Sequence, residues 1–278
     1  MKCLTCLYNS KNPQVFVSTR MDDRSYLEFR ECESCKTLQC QEIDRSSVYS
    51  RSKDNTNYSD NQNNLVIKLK AVLMKSISKT YSDQALNKNS VLDFGTGSGE
   101  LANAFLHSFQ KVYASDLFID RPQKLHKDVE YYSFADKSLN QPMDLIVLRH
   151  VLEHVEDLDS CLVGLKKIIS HNSTILIEVP NSASIHRKYM RGYWTGYFAP
   201  YHTFVFSRLG LQELLTRHDF QVEFKKAEPF IFGVYFLQLG LPLTISRVLS
   251  IFFYPIQFLI SKVFRSSEAI VAIARLKE

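Results

Sequence analysis

The chain has 278 residues, of which 45% are hydrophobic and 23% are charged, and its formal net charge is +5. These values are typical of a globular protein with a buried core and exclude wholesale disorder. The basic residues are spread along the chain without a dense block, so charge does not indicate binding to nucleic acid.

Residues 1–40 contain five of the six cysteines, and we expect them to form a small N-terminal segment. Cys3 and Cys6 form one Cys-x-x-Cys pair, and Cys32 and Cys35 form a second pair after a spacer of 25 residues. Each pair can present two thiolates to one ion, so the two pairs predict a closed, tetrahedral zinc site with a structural role. Free thiols without a metal are the alternative.

The N-terminal residues and the apolar segment 230–264 bear on the cellular location of the protein and on its contact with a membrane. Met-Lys-Cys-Leu-Thr-Cys at the start lacks the apolar core of a secretory signal, so we expect a cytoplasmic location. Segment 230–264 is interrupted by Gly, Pro, Gln and Arg247, which disfavours a spanning helix. Three interpretations stay open for it: helices packed over the active site, an interfacial membrane anchor, or a dimer interface.

After a polar linker at 41–64, residues 65–278 alternate helical and strand-like patterns. Strands are predicted over 90–94, 112–115, 129–134, 143–148, 174–179, 221–226 and 269–274. Helices are predicted over 65–80, 157–170 and 208–217, and from the first strand's turn to about residue 108. This alternation predicts an α/β, doubly wound, mostly parallel seven-stranded sheet that binds its ligand at the carboxyl ends of the strands.

A glycine-rich turn follows the first of these strands. Gly95, Gly97 and Gly99 are three of the nine glycines in the chain. Glycine suits positions where φ is positive or where a ligand approaches the backbone, and a strand, a glycine turn and a helix form a nucleotide-sized cradle. A plain tight turn is the alternative. Asp116 closes the second strand 17 positions after Gly99, where a carboxylate can accept hydrogen bonds from ribose hydroxyls.

The spacing of the glycines bears on which nucleotide is bound. A dinucleotide fingerprint has a third glycine that packs helix against strand, but counted from Gly95 that position is Glu100. An NAD-dependent oxidoreductase is therefore disfavoured. The pattern D-x-G-x-G-x-G, which begins at Asp93, resembles motif I of class I S-adenosylmethionine (SAM)-dependent methyltransferases. The resemblance implies a methionine-binding set and a ribose-binding acid: Asp93, Gly95, Gly97 and Gly99 in the first, and Asp116 as the second.

The segment His150-Val-Leu-Glu-His154 follows the fourth predicted strand. Its two histidines have the i, i+4 spacing of a helical metal pair, although the order differs from the His-Glu-x-x-His of zinc proteases. A strand end with histidines bonded to nearby backbone is a second interpretation. The segment is also similar to the one that lines the pocket in methyltransferases related to the ubiquinone-biosynthesis O-methyltransferases. The same resemblance implies that Asp136 contacts the adenine amine, with a plain loop acid as the alternative.

A second segment, Tyr201-His202-Thr-Phe-Val-Phe-Ser207, resembles the H-x-x-x-F-S stretch of the same family. A hydroxyl acceptor must lose a proton, and histidine suits that task. His154 and His202 are therefore the leading candidates for the catalytic base and His150 is the third, with a structural role as the alternative for each. The aromatic residues over 193–201 predict either a lid over the acceptor or a surface loop.

Together these resemblances imply a SAM-dependent methyltransferase that acts on a small-molecule or glycan-type acceptor at a hydroxyl oxygen. The arrangement of a zinc ribbon ahead of such a domain is similar to that in enzymes of sugar and secondary-metabolite modification. Segment 230–264 also leaves open an acceptor that is linked to a lipid. The alternatives are an N- or C-methyltransferase and a non-catalytic SAM-binding protein that uses its zinc segment to bind a partner. Intact Asp93 and Asp116 argue against the non-catalytic alternative.

Overall fold

The computed structural model describes residues 1–19, 26–40, 64–117, 120–133, 141–199, 201–226 and 267–277, together with Leu139 and Leu249. Three sequence-based predictions therefore fall outside the described residues. These are the linker at 41–64, apart from its last residue, the adenine contact at Asp136, and the apolar segment 230–264, apart from Leu249.

A large sheet forms the body of the fold. Its strands are β4 (Ser90–Phe94), β5 (Lys111–Asp116), β6 (Val129–Ser133), β7 (Leu145–Arg149), β8 (Thr174–Pro180), β10 (Phe220–Lys225) and β11 (Ala269–Leu276). They lie in the order β10-β11-β8-β7-β4-β5-β6. The strands from β4 to β8 pair in parallel, whereas β11 runs antiparallel to β8 and β10. The predicted α/β fold with a mostly parallel seven-stranded sheet is confirmed.

Helices cover both faces of this sheet. They are α1 (Asn64–Ser82), α2 (Glu100–Phe105), α3 (Leu158–Lys166), α4 (Ile185–Met190) and α5 (Arg208–Arg217). Side chains alternate along β4, so Val91 packs into one hydrophobic cluster and Leu92 into the other. Ser207 caps α5, because its Oγ accepts a 2.8 Å hydrogen bond from the Gly210 N–H. Helix α2 ends at Phe105, three residues before the predicted end. None of the helices in the described part of the chain combines the length and the hydropathy that crossing a bilayer requires.

A second, smaller sheet contains the N-terminal segment. Its strands are β1 (Gln14–Thr19), β2 (Tyr26–Glu31), β3 (Leu38–Cys40) and β9 (Phe204–Val205), in that order. The fourth strand, β9, comes from the region between β8 and α5, and it pairs antiparallel with β3. The N-terminal segment is thus joined to the rest of the protein by backbone hydrogen bonds. The sequence predicted a small N-terminal segment but not this strand pairing.

Candidate functional site

The glycine turn lies at the carboxyl end of β4 and leads into α2. Gly95, Gly97 and Gly99 have φ angles of +78°, +54° and +83°, a region that side chains disfavour. A Cβ at Gly95 would overlap the side chain of Val151, and one at Gly99 would overlap that of Leu125. A Cβ at Gly97 would meet no described atom within 4 Å. The backbone at Gly97 therefore faces open space, as a ligand-binding turn requires.

Two carboxylates flank this turn. Asp93 is buried beneath it and accepts a 2.7 Å hydrogen bond from the Thr96 hydroxyl. Burial raises the pKa of Asp93 to about 6, although hydrogen bonds from Thr96 and the Ala102 backbone act in the opposite direction. Asp116, at the end of β5, accepts a 2.8 Å hydrogen bond from the Gly97 N–H. The Asp116 carboxylate therefore lies directly beside the open face of the turn.

The turn and Asp116 fit a nucleoside ligand. In doubly wound sheets, ligands bind where the strand order reverses, and here that point is β4, with β5 and β7 on its two sides. Each oxygen of Asp116 accepts one backbone N–H, from Gly97 or Leu117. Since a carboxylate oxygen has two lone pairs, each keeps capacity for a ribose hydroxyl. The turn and Asp116 thus have the open backbone and the free acceptor capacity that a nucleoside ligand needs.

Ionisable side chains converge just beyond β7, next to the glycine turn. A short 3₁₀ turn, Leu152–His154, follows the strand, and Glu153 in this turn is fully buried. The Oε1 atom of Glu153 lies 3.3 Å from His150 Nδ1 and 3.8 Å from His202 Nε2. The fold therefore brings His202 to the 150–154 motif. This His–Glu cluster, defined as His150, Glu153, His154 and His202, adjoins the turn through Val151, which packs against Gly95.

Two histidines of the His–Glu cluster are oriented by backbone carbonyls. His154 Nδ1 lies 2.9 Å from the carbonyl oxygen of Tyr201, and His202 Nδ1 lies 2.9 Å from that of Gly196. A carbonyl oxygen only accepts, so Nδ1 carries the proton and donates in both rings. Their ring centroids are 4.6 Å apart. Both Nε2 atoms are thereby left for a further partner.

The surroundings give two histidines of the cluster opposite electrostatic character. Burial lowers the pKa of His202 to about 3, and nearby His154 acts in the same direction. Burial alone would also lower the pKa of His150, but hydrogen bonds to Glu153 and Glu178 outweigh it and raise that pKa to about 9. At neutral pH, His202 is therefore uncharged and His150 is charged.

Glu178, on β8, anchors the other side of His150. Its Oε1 lies 3.4 Å from His150 Nε2, and its second oxygen accepts a hydrogen bond from the Tyr81 hydroxyl. Burial alone would raise the pKa of Glu178, but His150 and Arg149 outweigh it and hold that pKa at about 2. Neither Glu153 nor Glu178 was among the site residues predicted from the sequence. Glu153 appeared only as a letter of the motif, and Glu178 had no local signal within its strand.

The sulfur atoms of Cys3, Cys6, Cys32 and Cys35 all lie within 4.8 Å of one another. The Cys3–Cys35 and Cys6–Cys32 sulfurs are each 3.6 Å apart. Four thiolates at about 2.3 Å from a tetrahedral zinc ion would be separated by about 3.8 Å. A disulfide would instead need about 2.05 Å, and none of the six cysteines, all of which the structure describes, forms a disulfide. The four side chains fit a zinc ion.

The cysteine cluster packs against the start of α5. The Ser207 hydroxyl, which caps this helix, also donates a hydrogen bond to the Cys35 carbonyl oxygen. A Cβ at Gly210 would overlap Thr37 Oγ1 and would lie 3.2 Å from Cys35 Sγ. The absence of a side chain at Gly210 thus allows the helix to approach the cluster.

The loop that carries His202 is held by the N-terminal segment. The Cys40 N–H donates a 2.8 Å hydrogen bond to the carbonyl oxygen of Thr203, and the Thr203 N–H donates one of 2.8 Å to that of Glu153. Trp194 and Tyr197 are buried in a cluster with residues of β2 and β3. Trp194 and Tyr197 therefore form an interface between the N-terminal segment and this loop.

Comparison with known proteins identifies the larger domain. Residues 67–224, more than half of the chain, match a protein-family model described as "Methyltransferase domain". A search of curated proteins finds no match. The matched residues run from α1 to β10 and include the glycine turn and the His–Glu cluster.

Solved structures share this fold at low sequence identity. The YcgJ protein from Bacillus subtilis is 15% identical with a TM-score of 0.52, over 74% of this chain and 98% of that one. The 1,6-didemethyltoxoflavin-N1-methyltransferase of Burkholderia thailandensis, bound to its substrate and S-adenosylhomocysteine, is 15% identical with a TM-score of 0.52, over 93% and 98%. Magnesium protoporphyrin IX methyltransferase from Synechocystis PCC 6803, with S-adenosylhomocysteine bound, is 14% identical with a TM-score of 0.50, over 84% and 96%. Because the family model matches more than half of the chain, the chain belongs to the methyltransferase-domain family and is a SAM-dependent methyltransferase.

Proposed function

We propose that this methyltransferase transfers the methyl group of SAM to an oxygen atom of a small-molecule or glycan-type acceptor. The observation that carries the proposal is the His–Glu cluster beside the cofactor turn. A hydroxyl oxygen becomes a good nucleophile only as it loses its proton, whereas an uncharged amine already has a free lone pair. Histidines and a buried carboxylate at this position support an acceptor whose proton must be removed.

The cofactor side of the site is formed by the turn between β4 and α2. SAM, when bound, supplies a methyl group that its sulfonium sulfur already activates. Asp93, Gly95, Gly97 and Gly99 are proposed to surround the methionine moiety, and Asp116 to accept hydrogen bonds from the ribose. Asp136 is proposed to contact the adenine amine. The contribution of these residues is positioning, which accounts for much of the rate enhancement in a displacement of this kind.

His154 is the histidine best suited to interact with the acceptor hydroxyl. Its Nδ1 donates to the Tyr201 carbonyl oxygen, so its Nε2 has a free lone pair. His202 is too weak a base at a pKa of about 3, and His150 is already protonated at neutral pH with a pKa of about 9. His202 and His150 are therefore proposed to position the cluster. The similarity of this motif to the ubiquinone-biosynthesis O-methyltransferases supports the same assignment.

The four cysteines are proposed to hold a structural zinc ion. Four thiolates fill a tetrahedral shell and leave no position for substrate. The proposal divides the chain into a zinc-ribbon-like segment at 1–40, a linker at 41–64 and a methyltransferase domain at 65–278. A ribbon of this kind supports an acceptor of the sugar or secondary-metabolite class. A lipid-linked acceptor, contact of 230–264 with a membrane and a cytoplasmic location stay predictions.

The cofactor assignment is tested by replacing Asp116. The Asp116→Ala variant should bind SAM well over tenfold more weakly, because it lacks both ribose contacts. Calorimetry gives the dissociation constant, and Asp120→Ala, at an exposed acid four positions along, is the control. An unchanged dissociation constant in Asp116→Ala would refute the ribose assignment.

The acceptor assignment is tested with SAM that carries a labelled methyl group. Matched hydroxyl and amine acceptors should show label on oxygen, and His154→Gln should lose most of this transfer while it keeps its affinity for SAM. Label on nitrogen or carbon alone would favour the N- or C-methyltransferase. SAM binding without transfer to any acceptor would favour the non-catalytic alternative.

A further inference from the structure

The carboxylate of Glu153 has an oxygen that no described residue satisfies. Glu153 is 0% exposed, and its Oε1 faces His150 and His202. Its Oε2 is buried and lacks a hydrogen-bond partner among the described residues. A buried carboxylate oxygen without a partner is costly and rare in native proteins. This oxygen is therefore suited to bind an ion.

Two nitrogen donors lie beside this carboxylate. A metal-binding histidine almost always donates its other ring N–H to a carbonyl or carboxylate, which fixes the ring with its lone pair towards the metal. His154 and His202 show this arrangement, with Nδ1 donating to the carbonyl oxygens of Tyr201 and Gly196. Each ring therefore has its Nε2 lone pair available.

The spacing of these donors suits one ion. One ligand atom from each of Glu153, His154 and His202 lies within 4.8 Å of the other two. Ligands at about 2.1 Å from a common ion are separated by about 3.0–4.2 Å. Glu153 Oε1, the other oxygen of the same carboxylate, lies 3.8 Å from His202 Nε2, which falls in this range. A small movement of the side chains would complete the site.

We propose that Glu153, His154 and His202 bind one divalent metal cation. Two imidazole nitrogens and one carboxylate oxygen suit Zn²⁺, Mn²⁺, Fe²⁺ or Co²⁺ better than Mg²⁺ or Ca²⁺, which prefer oxygen ligands throughout. His150 is not a ligand in this assignment. Its charged ring lies between Glu153 and Glu178 and orients the Glu153 carboxylate from outside.

The site deepens the proposed function, and its catalytic role rests on that function. Three protein ligands leave coordination positions open, and a cation lowers the pKa of an oxygen bound to it. The acceptor hydroxyl would release its proton to solvent, its oxygen would bond to the methyl carbon, and the carbon–sulfur bond would break with its electron pair on sulfur. His154 Nε2 would then serve as a ligand, and the proton would not need a histidine base.

The test uses full-length protein, stripped of metal and then given one equivalent of zinc, which the four thiolates bind in preference to the His–Glu cluster. Mn²⁺ is the probe, because it prefers nitrogen and oxygen ligands and competes poorly for thiolates. We expect one further equivalent of Mn²⁺ to bind, with free Mn²⁺ measured by electron paramagnetic resonance. Glu153→Gln and His202→Gln should each weaken this binding at least tenfold. His171→Gln, at an exposed histidine, should bind as the wild type does.

Each outcome decides the proposal. No Mn²⁺ bound by the wild type, or binding that Glu153→Gln and His154→Gln both leave unchanged, would overturn it. Circular dichroism checks folding, and if the buried variants unfold, His154→Gln at the half-buried ligand decides alone. Methyl transfer is measured on the same samples. Mn²⁺ binding without transfer to oxygen supports the cation site and refutes the oxygen acceptor, whereas transfer without any bound cation refutes the site and returns the proton to His154.

Discussion

The cysteine cluster and the His–Glu cluster are assembled in opposite ways. The cysteine cluster consists of two Cys-x-x-Cys pairs, and each pair is complete within four residues of sequence. The His–Glu cluster takes three members from 150–154 and its fourth, His202, from 48 positions after His154. The spacing of the cysteines therefore suffices to predict the cysteine cluster. The His–Glu cluster cannot be predicted from spacing, because it forms only when the loop after β8 brings His202 back to residues 150–154.

The two clusters are also connected. Strand β3 of the N-terminal segment pairs with β9, and backbone hydrogen bonds run from Cys40 to Thr203 and from Thr203 to Glu153. The N-terminal segment thus positions the loop that brings His202 to Glu153. If this is correct, damage to the cysteine cluster should also reduce activity at the His–Glu cluster.

Loss of a zinc ligand is expected to give the largest effect. Cys35→Ser removes one thiolate of the proposed zinc site and should destabilise the protein by about 4 kcal/mol. Metal analysis should show that zinc is lost, and thermal unfolding should show a lower Tm. The rate of methyl transfer should fall strongly. Cys161→Ser, at a cysteine outside the cluster, is the control. A zinc-free variant with normal Tm and activity would break the connection between the clusters.

A methyl group at the interface should give an intermediate effect. Gly210→Ala places a Cβ that overlaps Thr37 Oγ1, so either helix α5 or the cysteine cluster must shift. We therefore expect the free energy of unfolding to fall by about 2 kcal/mol. Gly164→Ala in α3 is a matched control, because a Cβ there would meet no described atom within 4 Å. This control should be neutral or stabilising by up to about 1 kcal/mol. Denaturant unfolding of both variants measures the difference in the free energy of unfolding. Equal values would show that a methyl group at Gly210 is accommodated without cost.

The features that the sequence predicted correctly are those whose physical causes lie within a few neighbouring residues. The positive φ angles of the glycine turn need glycine, and β5 must end near the turn, so Gly97 and Asp116 could be placed together from spacing alone. Strand β9 has two residues, too few for a period-two pattern to show. Gly210 looks like a replaceable glycine in a helix until the cysteine cluster packs against it. The burial of Trp194 and Tyr197 likewise depends on a partner surface that lies far away in the sequence.

The smallest effect is expected for the pH dependence of SAM binding. It concerns a third region, the cofactor turn, whose residues lie close together in sequence, as those of each cysteine pair do. Burial raises the pKa of Asp93 to about 6, so the carboxyl group gains a proton below that pH. The positive charges of SAM favour the ionised form, so affinity should rise with pH up to about 6 and level off above it. We expect binding at pH 5 to be about tenfold weaker than at pH 7.

Two comparisons isolate Asp93 as the cause of this pH dependence. Asp93→Asn should bind SAM weakly at both pH values, since its amide cannot ionise. Adenosine, which lacks the sulfonium and the methionine end, should bind the wild type equally well at pH 5 and pH 7. Calorimetry at both pH values measures each case. If adenosine shows the same tenfold change as SAM, the titrating group acts on the nucleoside side, and the assignment of Asp93 to the methionine end is wrong.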